Sequence, residues 1–498
     1  MDYSGMKVSI MGLGLHGGGL ESAKYLIKKG AIVSVTDLRD EKILAPSIEQ
    51  LDSVSSSVRY VLGRHEMQDF ENADMVIKNP GVPLSSPYLQ AARRIETDLS
   101  LFFLESQARL TAVTGTKGKS TASTAIYWVL QNYYRQKTLA AGSVGDSASM
   151  DTSGSVSGQA QVYLGGNITV SPLTFLDKLK PNDDVVLELS SFQLGDLANR
   201  KKADASPLFK PKAAVITAIM SDHQDRYPNM EAYVADKRII YQSQDKSDFT
   251  IAADDSWGRS FHEESKARPL VYSDTPLDID VSGAWAGGKG KPCFACMRDS
   301  PLQGLDVNRI VQLVPAKPLL PGAHQKKNLM SAGLALLGLG LDPETICANL
   351  GAFAGVEHRL EFFFEAGGVR FYNDSAATIP EAAAAAVEAF DASRMILVTG
   401  GTDKNLDFSP LVKAASAVKA LVLLNGTGTD KLIKEFEKSG IAYQGPFDSV
   451  EKAAKTAAGL ACNGDSVVLS PGCASFEMFN NEFDRGNKWK SAVVSVSR

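Results

Sequence analysis

Residues 110–124 read LTAVTGTKGKSTAST: an apolar run, a glycine-rich turn, then small residues that can begin a helix. Few folds accommodate that order. A strand that stops at a glycine loop and opens directly into a helix aims the free N–H groups of the helix N-terminus at an anion, and it sits naturally in an α/β sheet. Gly115, Thr116, Lys117, Gly118, Lys119, Ser120 and Thr121 are therefore expected to cradle the phosphates of ATP. Lys119 would supply a point charge and the Ser120 hydroxyl a ligand for Mg2+. The usual opening glycine of such a loop is missing, since Val113 occupies its place. A turn that carries lysines by chance is the alternative, and the strand, loop and helix together argue against it.

The same alternation recurs along the chain. At 498 residues the protein is too long for one core, and a prior of about 150 residues per domain suggests three. In the first block, MKVSIMGLGLHGGGLESAKYLIKKGAIVSVTD reads strand, turn, helix, strand, with Gly12, Gly14 and Gly17 in the turn and Asp37 ending the second strand. Taken alone, that βαβ unit suggests a nicotinamide dehydrogenase. The second block alternates the strands LTAVTG, VYLGGNI, VVLELSSF, AAVITAIM and DFTIAAD with helical stretches. The third repeats the pattern with MILVTGG, ALVLLNG and SVVLSPG, so a third doubly wound sheet is expected. Residues 142–161 are rich in Gly and Ser and poor in apolar side chains, which predicts a mobile surface insertion.

A net charge of −5 argues against a nucleic-acid or polybasic membrane surface. With no run of about 18 apolar residues to span a bilayer, a cytoplasmic protein is expected. The five cysteines are scattered, and Cys293 and Cys296 have metal-ligand spacing but no second pair nearby, so no disulfide framework and no metal are assigned to them.

Three further patterns carry chemistry. Glu188 is the one charge in the apolar run VVLEL, and a carboxylate on a buried strand needs a partner such as a metal beside the loop. SDHQDRY follows the strand AAVITAIM and delivers Asp222, His223 and Asp225 to its carboxyl end, with His223 either a ligand or a structural group. Lys237, on the next helix, reads by itself as a solvated lysine. In the third block Asp374, Thr378, Lys404 and Ser475 all occupy turns that follow strands, where they could converge on one ligand.

In order, VTGTKGKST, GGNI, VVLELSSFQL, SDHQDRY, YVADKRIIY, PGAHQKKN, EHRLE, NDSAAT, GGTDK and LSPGCASFEMF resemble the Mur ligases over nearly the whole chain. The resemblance implies an α/β fold in three domains: a Rossmann-like nucleotide-sugar domain (1–109), a central P-loop ATPase domain with a parallel-rich sheet (110–355) and a Rossmann-like amino-acid-binding domain (356–498). LELSSFQL and LSPGCASF point within the family to the branch that joins D-glutamate to UDP-N-acetylmuramoyl-L-alanine, with ATP and Mg2+ as cofactors. The glycine turn would then bind a uridine diphosphate rather than a nicotinamide dinucleotide. The resemblance implies Leu15, His16, Asp37, Arg39 and Gly81 at that site, with Asn328, Arg359 and Asp374 holding adenine, phosphates and ribose. It also implies Ser120, Glu188 and His223 as metal ligands with a carbamylated Lys237, and Lys119, Asn167, His223 and Lys237 in catalysis. Thr378, Lys404, Ser475 and Phe476 would receive the amino acid, and a monomer is expected. The chain departs from the family pattern at Lys117 (usually Asn), Gln325 (usually Asn), Ala376 (usually Lys) and Ile379 (usually Asn). A ligase for another amino acid and a non-catalytic nucleotide-binding regulatory module are the rival readings.

Overall fold

The computed structural model describes residues 2–15, 17–142, 160–168, 170–288, 290–302 and 305–496. His16 and all but the ends of the Gly/Ser-rich insertion lie outside the described residues.

Three sheets form in chain order. The first consists of β1 (Lys7–Met11), β2 (Ile32–Asp37), β3 (Arg59–Leu62), β4 (Met75–Lys78) and β5 (Ile95–Glu96), arranged β3-β2-β1-β4-β5. All its pairings are parallel. The second holds β6 (Arg109–Thr114), β7 (Val162–Gly166), β8 (Asp184–Glu188), β9 (Ala213–Ile216), β10 (Phe249–Ala253), β11 (Arg268–Ser273), β12 (Gly283–Ala286), β13 (Cys293–Cys296) and β14 (Val311–Val314). Its order is β14-β13-β12-β11-β10-β9-β6-β8-β7. The third holds β15 (Glu361–Ala366), β16 (Val369–Asn373), β17 (Met395–Thr399), β18 (Ala420–Leu424), β19 (Gln444–Phe447) and β20 (Ser466–Leu469), ordered β15-β16-β20-β17-β18-β19. There only the β15/β16 pair is antiparallel.

The expected strands form because their apolar runs suit central positions. Every residue of β4, β8, β9 and β17 is buried, as befits strands covered on both faces by helices. Glu188 closes β8, and register pairs it with Val113 of β6 and Gly166 of β7. The carboxyl ends of three neighbouring strands, β9, β6 and β8, thus lie side by side, where open parallel sheets place their sites. Cys293 and Cys296 both lie on β13, three residues apart and so on opposite faces.

The chain divides into two compact units. Met1–Gly288, Cys293–Leu313 and Asn328–Cys347 form the first, which contains the first sheet and most of the second; Lys289–Pro292, Val314–Lys327 and Ala348–Arg498 form the other. Within the first unit the helix Asp98–Glu105 links the two sheets. A capping box on Thr97 starts it, and its Phe102 and Phe103 rings lie 6.0 Å from Phe175 and 5.2 Å from Phe209. Burying four phenyl groups in one apolar cluster welds the strands on either side into a continuous core. Lys78 and Asp196 add a buried ion pair across the same junction. The expected domain break after residue 109 falls inside β6, while that after 355 falls between the helix Pro343–Gly351 and β15.

Candidate active site

The glycines of the loop are there because nothing larger fits. Gly115 (φ 140°) would place a Cβ 2.0 Å from the Thr217 hydroxyl, and Gly118 (φ 92°) one 2.2 Å from Asn328 Oδ1. The second contact shows that the structure brings Asn328 against the loop. Thr116 is tied to its surroundings by a hydrogen bond to the Met220 carbonyl at 3.1 Å and by contact with the Tyr233 hydroxyl at 3.1 Å. Lys119 folds back on the loop, donating to the carbonyls of Gly115 at 3.1 Å and Thr116 at 3.0 Å. Ser120 is half-buried and Thr121 buried at the start of the helix Lys119–Gly142. Lys117 is exposed, with its ammonium 4.0 Å from Asp222.

Glu188 is buried. Its Oε1 accepts a hydrogen bond from the Asn167 side chain at 2.8 Å, and the Asn167 backbone N–H donates to the Glu188 carbonyl at 2.8 Å. Its Oε2 is buried and has no hydrogen-bond partner among the described residues. A buried carboxylate oxygen of this kind is costly unless something positive meets it, so the residues fit a divalent cation beside the loop. Among the described residues no three His, Cys, Asp or Glu side chains gather as a cation cage. A cation here would need oxygens from phosphate, water or a hydroxyl as well.

His223 has a left-handed backbone (φ 53°), and its N–H caps onto Asp222 Oδ1 at 3.0 Å. Its ring lies 5.0 Å from Phe192, which stacks on Tyr227 at 5.7 Å. Lys237 is not solvated at all. Only 2% exposed, it donates to the Gly115 carbonyl at 2.9 Å and lies 4.4 Å over the Tyr233 ring. Burial, with Lys119 nearby, brings its pKa down to about 7 against the pull of Asp222 and Asp236. Lys119, Asn167, His223 and Lys237 share the wall of one cavity of about 390 Å³ with Gly81, from the turn after β4, and with Ser190 to Gln193.

The expected uridine site gathers at the carboxyl ends of β1 and β2. Buried Asp37 accepts from the Gly14 N–H at 3.3 Å and from the Arg39 N–H and Nε at 2.9 and 3.2 Å, while Leu15 and Arg39 remain exposed. Gly81 instead faces the cavity beside the phosphate loop.

In the second unit Asp374 is buried. Its Oδ1 accepts from the Leu360 N–H at 3.1 Å and its Oδ2 from the Ser470 hydroxyl at 2.7 Å. Desolvation pushes its pKa up to about 7, with Ser470, the Leu360 amide, Arg359 and Arg485 opposing. Arg359 is exposed and immediately precedes Leu360, whose N–H meets Asp374. The turns after β16, β17 and β20 are stitched together: Gly472 N–H donates to the Ala377 carbonyl at 2.9 Å, and Thr402 and Ala474 exchange hydrogen bonds of 2.9 and 3.1 Å. Lys404 lies 5.7 Å from the ring of exposed Phe476, while Ser475 is buried with an unpartnered hydroxyl. Thr378 is half-buried on the first of these turns.

Two arginines escaped the sequence reading. Arg226 donates to the Gly81 carbonyl at 2.5 Å and lies 4.3 Å over Phe192, so it ties the first sheet to the cavity wall. The motif SDHQDRY contains it but gives no sign of that partner. Arg485 is fully buried within the second unit. Tyr233 was also missed, although its place four residues before Lys237 puts both on one helix face.

Phosphate loop, buried carboxylate and a cavity at adjacent strand ends define a nucleotide-dependent α/β enzyme built on three sheets. Residues 6–99 match the Mur ligase MurD-like N-terminal domain, 113–280 the Mur ligase middle domain and 358–473 the Mur ligase glutamate ligase domain. The chain belongs to the Mur ligase family. It is 38% identical to the UDP-N-acetylmuramoylalanine--D-glutamate ligase of Borreliella burgdorferi, with 98% of this chain and 97% of the relative covered. The corresponding figures are 37%, 98% and 97% for the Treponema pallidum enzyme of the same name, and 36%, 100% and 100% for that of Roseiflexus sp.. Among solved structures, UDP-N-acetylmuramate-alanine ligase from Thermotoga maritima shares the fold with a TM-score of 0.52 at 17% identity, covering 98% of this chain and 99% of that one. A second ligase from the same organism, MurF in complex with ADP, gives 0.51 at 15% identity, covering 93% and 94%.

Proposed function

We propose that this chain is the ATP-dependent ligase that forms the amide between UDP-N-acetylmuramoyl-L-alanine and D-glutamate, a step of peptidoglycan precursor synthesis in the cytoplasm. The carrying observation is the shared cavity, which Lys119, Asn167, His223 and Lys237 line together with Gly81 from the turn after β4 of the first sheet. A nucleotide-sugar seated on that sheet can extend its acyl end to the phosphate loop.

In the reaction the alanyl carboxylate attacks the γ-phosphorus of ATP, ADP leaves, and an acyl phosphate forms. The amine of D-glutamate then adds to the acyl carbon, and phosphate departs from the tetrahedral intermediate. Loop amides and Lys119 stabilise charge on the transferring oxygens, so no covalent nucleophile is required of the protein. Asn167, oriented by Glu188, keeps a second amide N–H for the substrate. A nearby base takes the proton of the attacking amine, and His223, at the cavity wall, would serve as that base when it is not bound to metal. Glu188, Ser120, His223 and a carbamate on Lys237 would hold Mg2+, which when bound neutralises phosphate charge. Asn328, Arg359 and Asp374 complete the ATP contacts, and Thr378, Lys404, Ser475 and Phe476 receive D-glutamate.

A ligase for a different amino acid is the second reading, favoured by Ala376 and Ile379. Phosphate release with UDP-N-acetylmuramoyl-L-alanine, comparing D-glutamate with other amino acids, decides between them. The proposal expects D-glutamate to turn over fastest and is overturned if another amino acid does.

A further inference from the structure

Arg485 lies near the start of the helix Glu482–Val496, with 0% of its surface exposed. A guanidinium buried that deeply must satisfy its donors inside the protein or lose several kcal/mol. Among the described residues its acceptors lie on two turns. Nε donates to the Ser375 hydroxyl at 3.0 Å and Nη2 to the Ser375 carbonyl at 2.9 Å, both on the turn after β16. Nη1 donates to the carbonyls of Cys473 and Ala474, both at 3.1 Å, on the turn after β20. The Ser375 hydroxyl in turn donates to the Glu482 carbonyl at 2.7 Å, closing the loop back onto the helix that carries Arg485.

The two turns so joined carry the candidate amino-acid contacts. Thr378 stands three residues beyond Ser375, and Ser475 immediately follows Ala474, one of the clamped carbonyls. The unpartnered Ser475 hydroxyl lines the same small cavity as Arg485. Neighbouring carboxylates do not account for the arginine: Asp374 and Glu482 favour its charge from a distance, but among the described residues its hydrogen bonds go to a hydroxyl and three carbonyls. Burial lowers its pKa only to about 10, so it stays charged at neutral pH.

We infer that Arg485 is a positioning residue for the incoming amino acid, its planar guanidinium setting the spacing between the Ser375–Thr378 turn and the Cys473–Phe476 turn. The inference rests on the proposed acceptor site. A lysine in its place keeps the charge but loses the fork that reaches both turns, and a point charge cannot hold four acceptors in one plane.

The test is steady-state kinetics of the full chain with Arg485→Lys, alongside thermal unfolding. We expect the KM for D-glutamate to rise about tenfold, with the KM for UDP-N-acetylmuramoyl-L-alanine changed less than twofold and kcat at saturation reduced less than threefold. In Arg485→Ala, added guanidinium should lower the D-glutamate KM again. Equal changes for both substrates, or a fall in kcat alone that tracks lost folded protein, would overturn the inference. If Arg485→Lys does not fold, Ser375→Ala removes one acceptor of the clamp and should raise the D-glutamate KM about threefold; an unchanged KM there also overturns it. Should wild type prefer another amino acid, the functional reading fails by itself. The same variants measured with that amino acid then test the positioning role, which stands only if its KM alone rises.

Discussion

The ammonium of Lys237 donates to the carbonyl of Gly115 at 2.9 Å, joining a buried helix face to the first residue of the phosphate loop. Burial and the nearby Lys119 depress its pKa to about 7. Only a neutral amine can attack the carbon of carbon dioxide and then lose a proton to give a carbamate, so near pH 8 this lysine is poised for carbamylation where an ordinary lysine is not. Lys237→Ala is expected to lose activity by more than a hundredfold, with partial recovery in millimolar acetate or another short carboxylic acid. Full activity of the variant without added acid would refute the carbamate.

Lys119→Ala and Glu188→Gln should each lower phosphate release by at least about a hundredfold, since one removes charge at the transferring phosphate and the other a carboxylate beside it. Unfolding temperature should change little in Lys119→Ala, whose half-buried side chain donates to the Gly115 and Thr116 carbonyls of its own loop. Glu188→Gln fills the same space. Normal phosphate release from either folded variant would remove it from the site.

The Lys78–Asp196 pair lies buried between the first two sheets. Burial lowers the lysine pKa and raises that of the aspartate, each partly offset by the other. Removing one partner leaves an uncompensated buried charge, so Asp196→Ala should destabilise by about 3–5 kcal/mol. The double change Lys78→Met with Asp196→Leu should recover most of that loss in a denaturant titration. Equal destabilisation by single and double variants would show that shape, not charge, matters there.

Asp374 has a folded pKa near 7, above its ordinary 3.8. The folded state therefore binds more protons than the unfolded one between those values. Its contribution to stability is complete below about pH 4 and is lost as pH rises through 7. Asp374→Asn should be close to wild type in stability at pH 5 and gain on it by pH 8, with a ceiling of about 3 kcal/mol over that interval, since each pH unit between 5 and 7 is worth about 1.4 kcal/mol. If the difference between the two proteins is flat from pH 5 to 8, the carboxyl is not titrating in this range. The same variant should bind ATP more weakly if Asp374 meets the ribose.

Ala376 stands on the Ser375–Thr378 turn where the family pattern has a lysine. A second acidic group on the acceptor then depends on Lys404 and Ser475, and loss of one charged donor typically weakens such binding by about 1.5–3 kcal/mol. Lys404→Ala should raise the D-glutamate KM far more than the ATP KM, and Ala376→Lys should lower it. An unchanged D-glutamate KM in Ala376→Lys, together with faster turnover of another amino acid by wild type, would assign a different acceptor.

Local order was legible before any coordinates. The apolar runs that became β1, β6, β8, β9, β17, β18 and β20 are strands because a buried parallel strand demands uninterrupted apolar side chains, and the glycines at 115 and 118 mark a loop because nothing with a Cβ fits their contacts. The phosphate loop and the lone carboxylate Glu188 could be read for the same reason: each is an anomaly within its own few residues. What depends on long-range packing was not local. The burial of Lys237, and with it the depressed pKa, follows from a helix more than a hundred residues downstream docking on the Gly115 loop. Arg485 gave no signal because three of its four acceptors are backbone carbonyls, which every residue carries, and the fourth is the hydroxyl of Ser375, all brought together only when the strands β16 and β20 pair. Arg226 likewise acquires its role from Gly81, on the turn after β4 and 145 residues away in the chain. Sequence alone determined which segments form strands, turns and phosphate-binding backbone, since those are set by near neighbours. Only the tertiary structure decided which side chains lose water and which carbonyl each buried cation meets, because desolvation and hydrogen bonding depend on what folds against them.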